Sequence, residues 1–545
     1  MFVLSHGTVS AKDQAANVVS ANDPNGACAS CHRQIYERYR ETPMANASAA
    51  VSAENLSPAD FTHAASGVHY RVFSDNGHVW LSYDREHASA SRVLHGRQQL
   101  QYVIGSGKRG KTFLFEQEGY WFEAPINWYE KSGVWDMAPN YLSAQEMPLT
   151  LPVDPGCLHC HASQVAESLP DARNHYAAAP FAAGGITCTA CHGDAAAHLA
   201  SGGKESMLKI DSLPAVKRNS ICLSCHLEGQ TTVVHEGHKL AKFTPGDNLF
   251  DSATYYVRSG EIGSGGRATS QWEALLESAC QQRSGNRMTC TTCHDPHGSP
   301  APAERVSFYR GRCLQCHNQG NFVAKHHPEN PDCVGCHMAR APTSDIAHEQ
   351  VTDHRIVKRP STSKPKAVDT GPLVVVGGFA TTDRDLGIAY AQLSKSGDQE
   401  DAAKAMSLLR KAEKEKDGAL TDHELHDQLG FLEQIFGDSQ GAATEYKKAL
   451  QADAFDSFAA GNLALIEAQQ HHYNEAMRLW ETAFTHDPVQ LAAGMNLAIV
   501  DCGAGKKAEA LATLDRLLTF SPDNQKARAF AMKIQSGSQS CGKKN

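Results

Sequence analysis

No stretch of this sequence is apolar over the length a bilayer-crossing helix needs, which excludes a helical membrane span. No long run of basic residues occurs, and the net charge is −9, so nucleic acid finds no electrostatic footprint as a partner. Seventeen cysteines in 545 residues are far below the density of a small disulfide scaffold. What is plentiful is histidine, with 28 residues, and their placement matters more than their number. The length implies more than one domain.

Residues 1–22 read as a signal-peptide remnant. The segment FVLSHGTVSA resembles the tail of a secretory signal, with Val9-Ser10-Ala11 as a small-residue cleavage site, although the basic region and most of the apolar core are missing.

The stretch GSGKRGKT, Gly105 to Thr112, fits the phosphate-loop pattern letter for letter. That loop needs a helix after it, whose N-terminus holds the phosphates. Here it is followed by TFLFEQEGYWFEAP, which is rich in strand-forming aromatics and carries a Glu118-Gly119 turn. Upstream, Asn76-Gly77 separates two alternating runs, a hairpin signal. Residues from about 66 to 125 therefore read as an antiparallel meander, GSGKRGKT as one of its turns, and no nucleotide site is expected.

Fourteen of the seventeen cysteines fall in seven C-x-x-C pairs, each followed at once by histidine. The motifs are Cys28, Cys31, His32; Cys157, Cys160, His161; Cys188, Cys191, His192; Cys222, Cys225, His226; Cys290, Cys293, His294; Cys313, Cys316, His317; and Cys333, Cys336, His337. C-x-x-C-H is the attachment signature of c-type haem. The thiols bond to the porphyrin and the histidine becomes the proximal iron ligand. Zinc ribbons do not require a histidine after every pair, and iron–sulfur sites need cysteine sets without one. Seven c-type haems are therefore expected between residues 28 and 337, with the macrocycles themselves filling much of the core.

Each iron needs a sixth ligand or an open face, and the axial pair tunes its chemistry. Histidines outside the motifs are numerous enough for mostly bis-histidine irons. His63, His175, His198, His297, His348 and His354 are the distal candidates; His235, His238, His327 and Met44 are weaker ones, and His326 ranks with His235. His69, His78, His87 and His95 sit in or near the meander and read as exposed. Cys280 reads as a free buried thiol, and Cys502 and Cys541 as distant from the haem chemistry.

The segments CTACHGDAAAH, CTTCHDPHG, CVGCHMAR followed by DHRI, and YVIGSGKRGKTFL resemble multihaem c-type cytochromes of the cytochrome c-554 and hydroxylamine-oxidoreductase-like superfamily, in particular those fused to tetratricopeptide repeats. The resemblance covers roughly residues 25 to 360. It implies distal ligation by His198 and His297, a periplasmic or cell-surface location, and a β-rich part of the haem domain containing the glycine-rich stretch. No C-x-x-C-K motif is present and no crosslinking tyrosine is identifiable, which argues against the reductase and oxidase members of that group.

Beyond about residue 359 the composition changes. A polar, proline-containing stretch, residues 360–378, reads as a linker. A 34-residue period follows: Leu429, Leu463 and Leu497; Ala442, Ala476 and Ala510; Tyr446, Trp480 and Leu514. This is the tetratricopeptide pattern of paired helices, with three clear repeats, a degenerate one near Leu386-Gly387, and a capping helix from Gln525. Residues 379–536 form that domain, 23–359 the heptahaem domain, and 537–545 a tail. The expected fold class is mostly α with a small β-meander. The expected function is electron transfer along seven haems, with the repeats docking redox partner proteins or building a homo-oligomer or filament. The alternative is an oxidoreductase acting on nitrite, hydroxylamine or another small oxyanion at one five-coordinate haem.

Overall fold

The structure is a computed structural model. It describes residues 23–52, 56–85, 93–147, 149, 151–259, 270–285, 287–326, 329–340, 352–358, 371–395, 397–415 and 421–542. The proposed signal remnant, His87, His327 and His348 lie outside the described residues.

The β-rich region is two sheets rather than one meander, and it extends past residue 125. One sheet has four strands in chain order, Ala59–His63, Val68–Asp75, His78–Arg85 and Leu94–Leu100. Asn76 and Gly77 both adopt positive φ (50° and 80°) in its tight hairpin, the primed turn that matches strand twist. Alternation places Val68, Tyr70, Val72, Val79, Leu81 and Tyr83 on the buried face. The second sheet has six strands: Ser48–Ala50, Tyr102–Ile104, Gly110–Gln117, Tyr120–Tyr129 and Leu151–Pro152 in order, with Val134–Met137 also paired to Tyr120–Tyr129. Its outermost members are two or three residues long, too short to show a period in sequence. Phe113, Phe115, Phe122 and Ile126 from this sheet share one core with the first. GSGKRGKT turns from strand Tyr102–Ile104 into strand Gly110–Gln117. No helix follows it, so the geometry of a phosphate loop is missing.

The C-terminal region is four helix pairs: Asp383–Ser394 with Gln399–Glu415, His423–Ile435 with Ser439–Ala452, Ser457–Gln469 with Tyr473–His486, and Leu491–Gly503 with Lys507–Phe520, followed by Gln525–Gln535. Ala442, Ala476 and Ala510 are fully buried, and Tyr446, Trp480 and Leu514 fill the space between helices. A side chain at Gly430 would meet the Tyr446 ring at 2.7 Å, so the two helices of that pair approach as closely as they do only with glycine there.

The two regions are tied at both ends of the helical array. At its start, Leu373–Val375 pairs with strand Ala253–Arg258, which pairs with Thr231–Val234. Part of the segment read as a linker is thus an edge strand. The Tyr390 hydroxyl accepts from Leu373 N (2.9 Å), Arg384 donates to Asp422 (2.6 and 2.9 Å) and to the Val234 carbonyl (3.3 Å), and Arg258 pairs with Asp401. At its end, Phe520 enters the core of the two large sheets against Tyr120 and Phe122, with ring centres 5.8 and 6.0 Å away. The Tyr120 hydroxyl donates to the Thr485 carbonyl (3.0 Å). Cys502 and Cys541 form a disulfide, which joins the last pair to the tail; their 39-residue separation left them unpaired in the sequence reading.

Candidate haem cavity

Each C-x-x-C-H motif occupies about one helical turn. The histidine N–H reaches the first cysteine carbonyl in the motifs of Cys28 (2.8 Å), Cys188 (3.0 Å), Cys290 (3.0 Å) and Cys313 (3.0 Å). Positions i, i+3 and i+4 then share one face, so two thiols and an imidazole point the same way. Side-chain caps start some of these turns: Asp154 accepts from Cys157 N (3.0 Å) and Asp332 from Gly335 N (2.9 Å).

Those faces line one continuous cavity of about 3070 Å³. All seven motif histidines and every motif cysteine except the exposed Cys31 border it. Its walls also carry cations, among them Arg109, Arg218, Arg283, Arg310 and Arg312, which suit carboxylate-bearing macrocycles. The Arg218 Nε, Trp272 Nε1 and His159 Nε2 atoms are buried there with no hydrogen-bond partner in the protein. A void of this size with thiols, imidazoles and orphaned donors on its wall fits bound haem.

Four motif histidines face a second imidazole. Ring centres are 6.3 Å apart for His32 and His198, 5.9 Å for His192 and His297, 6.2 Å for His294 and His354, and 5.7 Å for His337 and His326. The interplanar angles are 14–29°. An imidazole nitrogen lies about 2 Å from a bound transition metal, so two rings on opposite faces of one iron have centres roughly 6 Å apart. The Nε2 atoms of His326 and His337 point at each other across 3.5 Å. The other nitrogen is held by backbone carbonyls: Nδ1 of His198 donates to Glu205 (2.6 Å), of His337 to Val357 (2.8 Å) and of His354 to Thr352 (2.7 Å). Such second contacts fix ring orientation in metal sites. Burial, and then neighbouring imidazoles, lower the His192 and His294 pKa values, which favours the neutral, ligating form.

Other candidates lie elsewhere. His63 is buried between the Ser66 hydroxyl (2.9 Å) and the Leu142 carbonyl (3.2 Å). His175 stacks on Tyr120 with ring centres 4.4 Å apart and bonds Asp171 (3.0 Å). His235 uses both nitrogens, on the Asp251 carbonyl (2.9 Å) and the Thr254 hydroxyl (2.8 Å). His238 is exposed and contacts the Glu236 carbonyl (3.1 Å). None of these four lines the cavity, and each has a hydrogen-bond partner within the fold. Met44 does line it, as does Cys280. His326 and His327 rank alike from sequence, since two adjacent histidines in KHHPE carry no signal that separates them; His326 lines the cavity.

The motifs adjoin one another in a definite order. The thiols of Cys28 and Cys188, Cys160 and Cys225, Cys222 and Cys290, and Cys313 and Cys333 lie close enough to interact electrostatically. Cys191 lies near Cys222 and Cys225, and Cys293 near Cys280 and Cys316, close enough for their charges to interact. The row therefore runs from the motif of Cys28 through those of Cys188, Cys222, Cys290 and Cys313 to that of Cys333, with the motif of Cys157 beside that of Cys222.

Residues 27–76 match the family described as cytochrome c554 and c-prime, and residues 284–322 match the doubled CXXCH motif. The multiheme cytochrome MtrA of Shewanella baltica is 26% identical over 193 residues, 32% of this chain and 55% of that protein; the chain thus spans about half the length of this curated relative. Among solved structures, MamA AMB-1 aligns at 20% identity and a TM-score of 0.25, over 29% of this chain and 82% of that one. A tetratricopeptide repeat protein from Parabacteroides merdae aligns at 16% and 0.25, over 28% and 61%. The repeat assignment rests instead on the 34-residue period and the helix pairs that follow it. Motifs, cavity and family matches together make this chain a multihaem c-type cytochrome with a tetratricopeptide-like helical region.

Proposed function

We propose that this chain is an exported electron carrier holding seven c-type haems, most of them bis-histidine, in the order of motifs given above. Bound haem supplies an iron that cycles between two oxidation states. The observation that carries the reading is the four facing imidazole pairs, His32–His198, His192–His297, His294–His354 and His337–His326, spaced at 5.7–6.3 Å. Two protein ligands per iron suit electron transfer, since neither face is left for substrate. Each of His198, His297 and His354 comes from a segment C-terminal to a later motif than the one it faces, or from beyond the last motif. The polypeptide thereby fastens successive sites to one another.

The disulfide between Cys502 and Cys541 supports export, because such bonds persist in oxidising compartments. Among the described residues no helix is long and apolar enough to cross a membrane. The repeat region serves as a docking module for a redox partner protein or a second copy of the chain. Its two tethers to the sheets hold any such partner near the row of motifs.

The test is a haem count per chain together with low-temperature EPR of the oxidised, haem-loaded protein, before and after nitrite. Seven haems, all low-spin and unchanged by nitrite, are expected. A high-spin signal that converts on adding nitrite would replace the carrier by the oxidoreductase reading.

A further inference from the structure

Two clusters in the repeat region bring a histidine and two carboxylates together: Glu413, His426 and Glu445, and His423, Asp427 and Asp456. The first already contains its cations. Arg410 donates to Glu413 (2.8 Å) and Glu445 (2.7 Å), Lys448 to Glu413 (2.7 Å), and His426 lies 2.9 Å from Glu445. Nothing further is needed there.

The second differs. His423 and Asp427 stand one turn apart on helix His423–Ile435, so they share a face. Asp456 caps the first helix of the next pair, accepting from Phe458 N and Ala459 N, each at 3.0 Å through Oδ1. That anchors the carboxylate and turns Oδ2 toward His423 Nδ1, 3.3 Å away. Asp427 is only 8% exposed, and its Oδ1 is buried with no hydrogen-bond partner. One ligand atom from each of the three residues lies within 4.8 Å of the other two.

Asp427 and Asp456 face each other with His423 a nearby donor on the Asp456 side, and two such carboxylates require a proton or a cation between them. Glu424 and Asp453 add negative charge nearby. Lys395 is the cation closest in effect on Asp427, but its ammonium lies over the Phe431 and Phe458 rings, 5.7 and 5.8 Å from their centres. A separation of 3.3 Å between His423 and Asp456 is long for a hydrogen bond. It is about the ligand-to-ligand spacing of a tetrahedral ion with bonds of roughly 2.0–2.1 Å. The His423 side chain is half exposed, which leaves an open side for water.

We propose that His423, Asp427 and Asp456 form a site for a divalent transition-metal ion of the zinc class, bound through one imidazole nitrogen, two carboxylates and water. Nitrogen and oxygen donors of this mixture suit zinc over calcium or magnesium. Because Asp456 begins the third helix pair and the other two ligands belong to the second, the ion staples successive repeats.

The experiment uses the full-length, haem-loaded protein, stripped with EDTA and retitrated with Zn²⁺, with bound zinc counted by elemental analysis and thermal unfolding followed by circular dichroism. Wild type should bind one zinc ion more than Asp427→Asn, and only wild type should gain a higher Tm with zinc. His423→Gln, a change at a half-exposed position, should weaken that zinc by at least about tenfold. Asp427→Asn removes a charge without changing shape, so its metal-free form should unfold no earlier than metal-free wild type. Equal zinc content and equal Tm response in wild type and Asp427→Asn would overturn the proposal. So would a wild-type Tm indifferent to zinc, which would mean that Asp427 and Asp456 share only a proton.

Discussion

Arg85 and Asp523, 438 positions apart in sequence, form a two-pronged ion pair of 2.7 and 2.5 Å with side chains only 7% and 1% exposed. Asp523 also accepts from Met147 N (2.8 Å). One carboxylate thereby fastens the last helix of the repeats to a sheet hairpin and to the loop beyond it. Removing one partner of a buried pair leaves an uncompensated charge, at a cost of about 3–5 kcal/mol. Asp523→Ala should therefore lower the thermal midpoint by several degrees. Arg85→Met with Asp523→Leu should recover part of the loss. A Tm unchanged in Asp523→Ala would mean that the repeats and the sheets unfold independently.

The imidazole pairs make a residue-by-residue prediction. Glycine at His198, His297, His354 or His326 should each convert one low-spin haem to high-spin in EPR, with the haem count unchanged, because attachment depends on the motif cysteines. The same substitution at His63 or His235 should leave the spin states alone and reduce stability, since both rings are hydrogen-bonded within the fold. A low-spin spectrum in His326→Gly would return His327 to consideration.

Those outcomes also mark what was readable from the chain. The cysteine motifs were legible because covalent attachment needs a fixed spacing. Asn76-Gly77 was legible because only a few residues tolerate its turn, and the repeats because each unit must present the same small and large positions to its neighbours. His198 and His297, each a few residues after a motif, were singled out from sequence, and the structure sets them facing His32 and His192. His63 and His235 could not be assigned, because their partners Leu142 and Thr254 arrive from distant parts of the chain. For the same reason the strand Leu373–Val375 passed as linker: its pairing with Ala253–Arg258 leaves no periodic trace in three residues.

Acid should weaken the repeats through Glu445. Burial opposes its ionisation, but hydrogen bonds from His426 and Arg410 outweigh that and hold its carboxyl at about 2. A folded-state value below the unfolded one, near 4.3, contributes stability above that pH and loses it as pH falls toward 2. The shift corresponds to about 3 kcal/mol. Glu445→Gln should thus be less stable than wild type at pH 6, and the gap should close as pH falls from about 4.5 to 2. Urea unfolding followed by helical circular dichroism checks this. A gap that stays constant across the range would show that the charge on Glu445 is not what stabilises the repeats.

Thiol chemistry tests the cysteine assignment as a whole. Seven attached haems, as proposed, would consume fourteen of the seventeen cysteines, and the Cys502–Cys541 disulfide consumes two more, leaving Cys280. Under denaturing conditions the haem-loaded protein should therefore show one reactive thiol, rising to three after reduction, because thioether links resist reductants that open a disulfide. Burial raises the Cys280 pKa, so this thiol should react slowly in the native state and quickly once unfolded. Cys502→Ser should lower stability by about 2–4 kcal/mol, chiefly by freeing the tail from the last helix pair, and should leave the visible spectrum of the haems unchanged. Three thiols before reduction would remove the disulfide, and with it the support that bond lends to export. More than three after reduction would mean that at least one motif carries no haem.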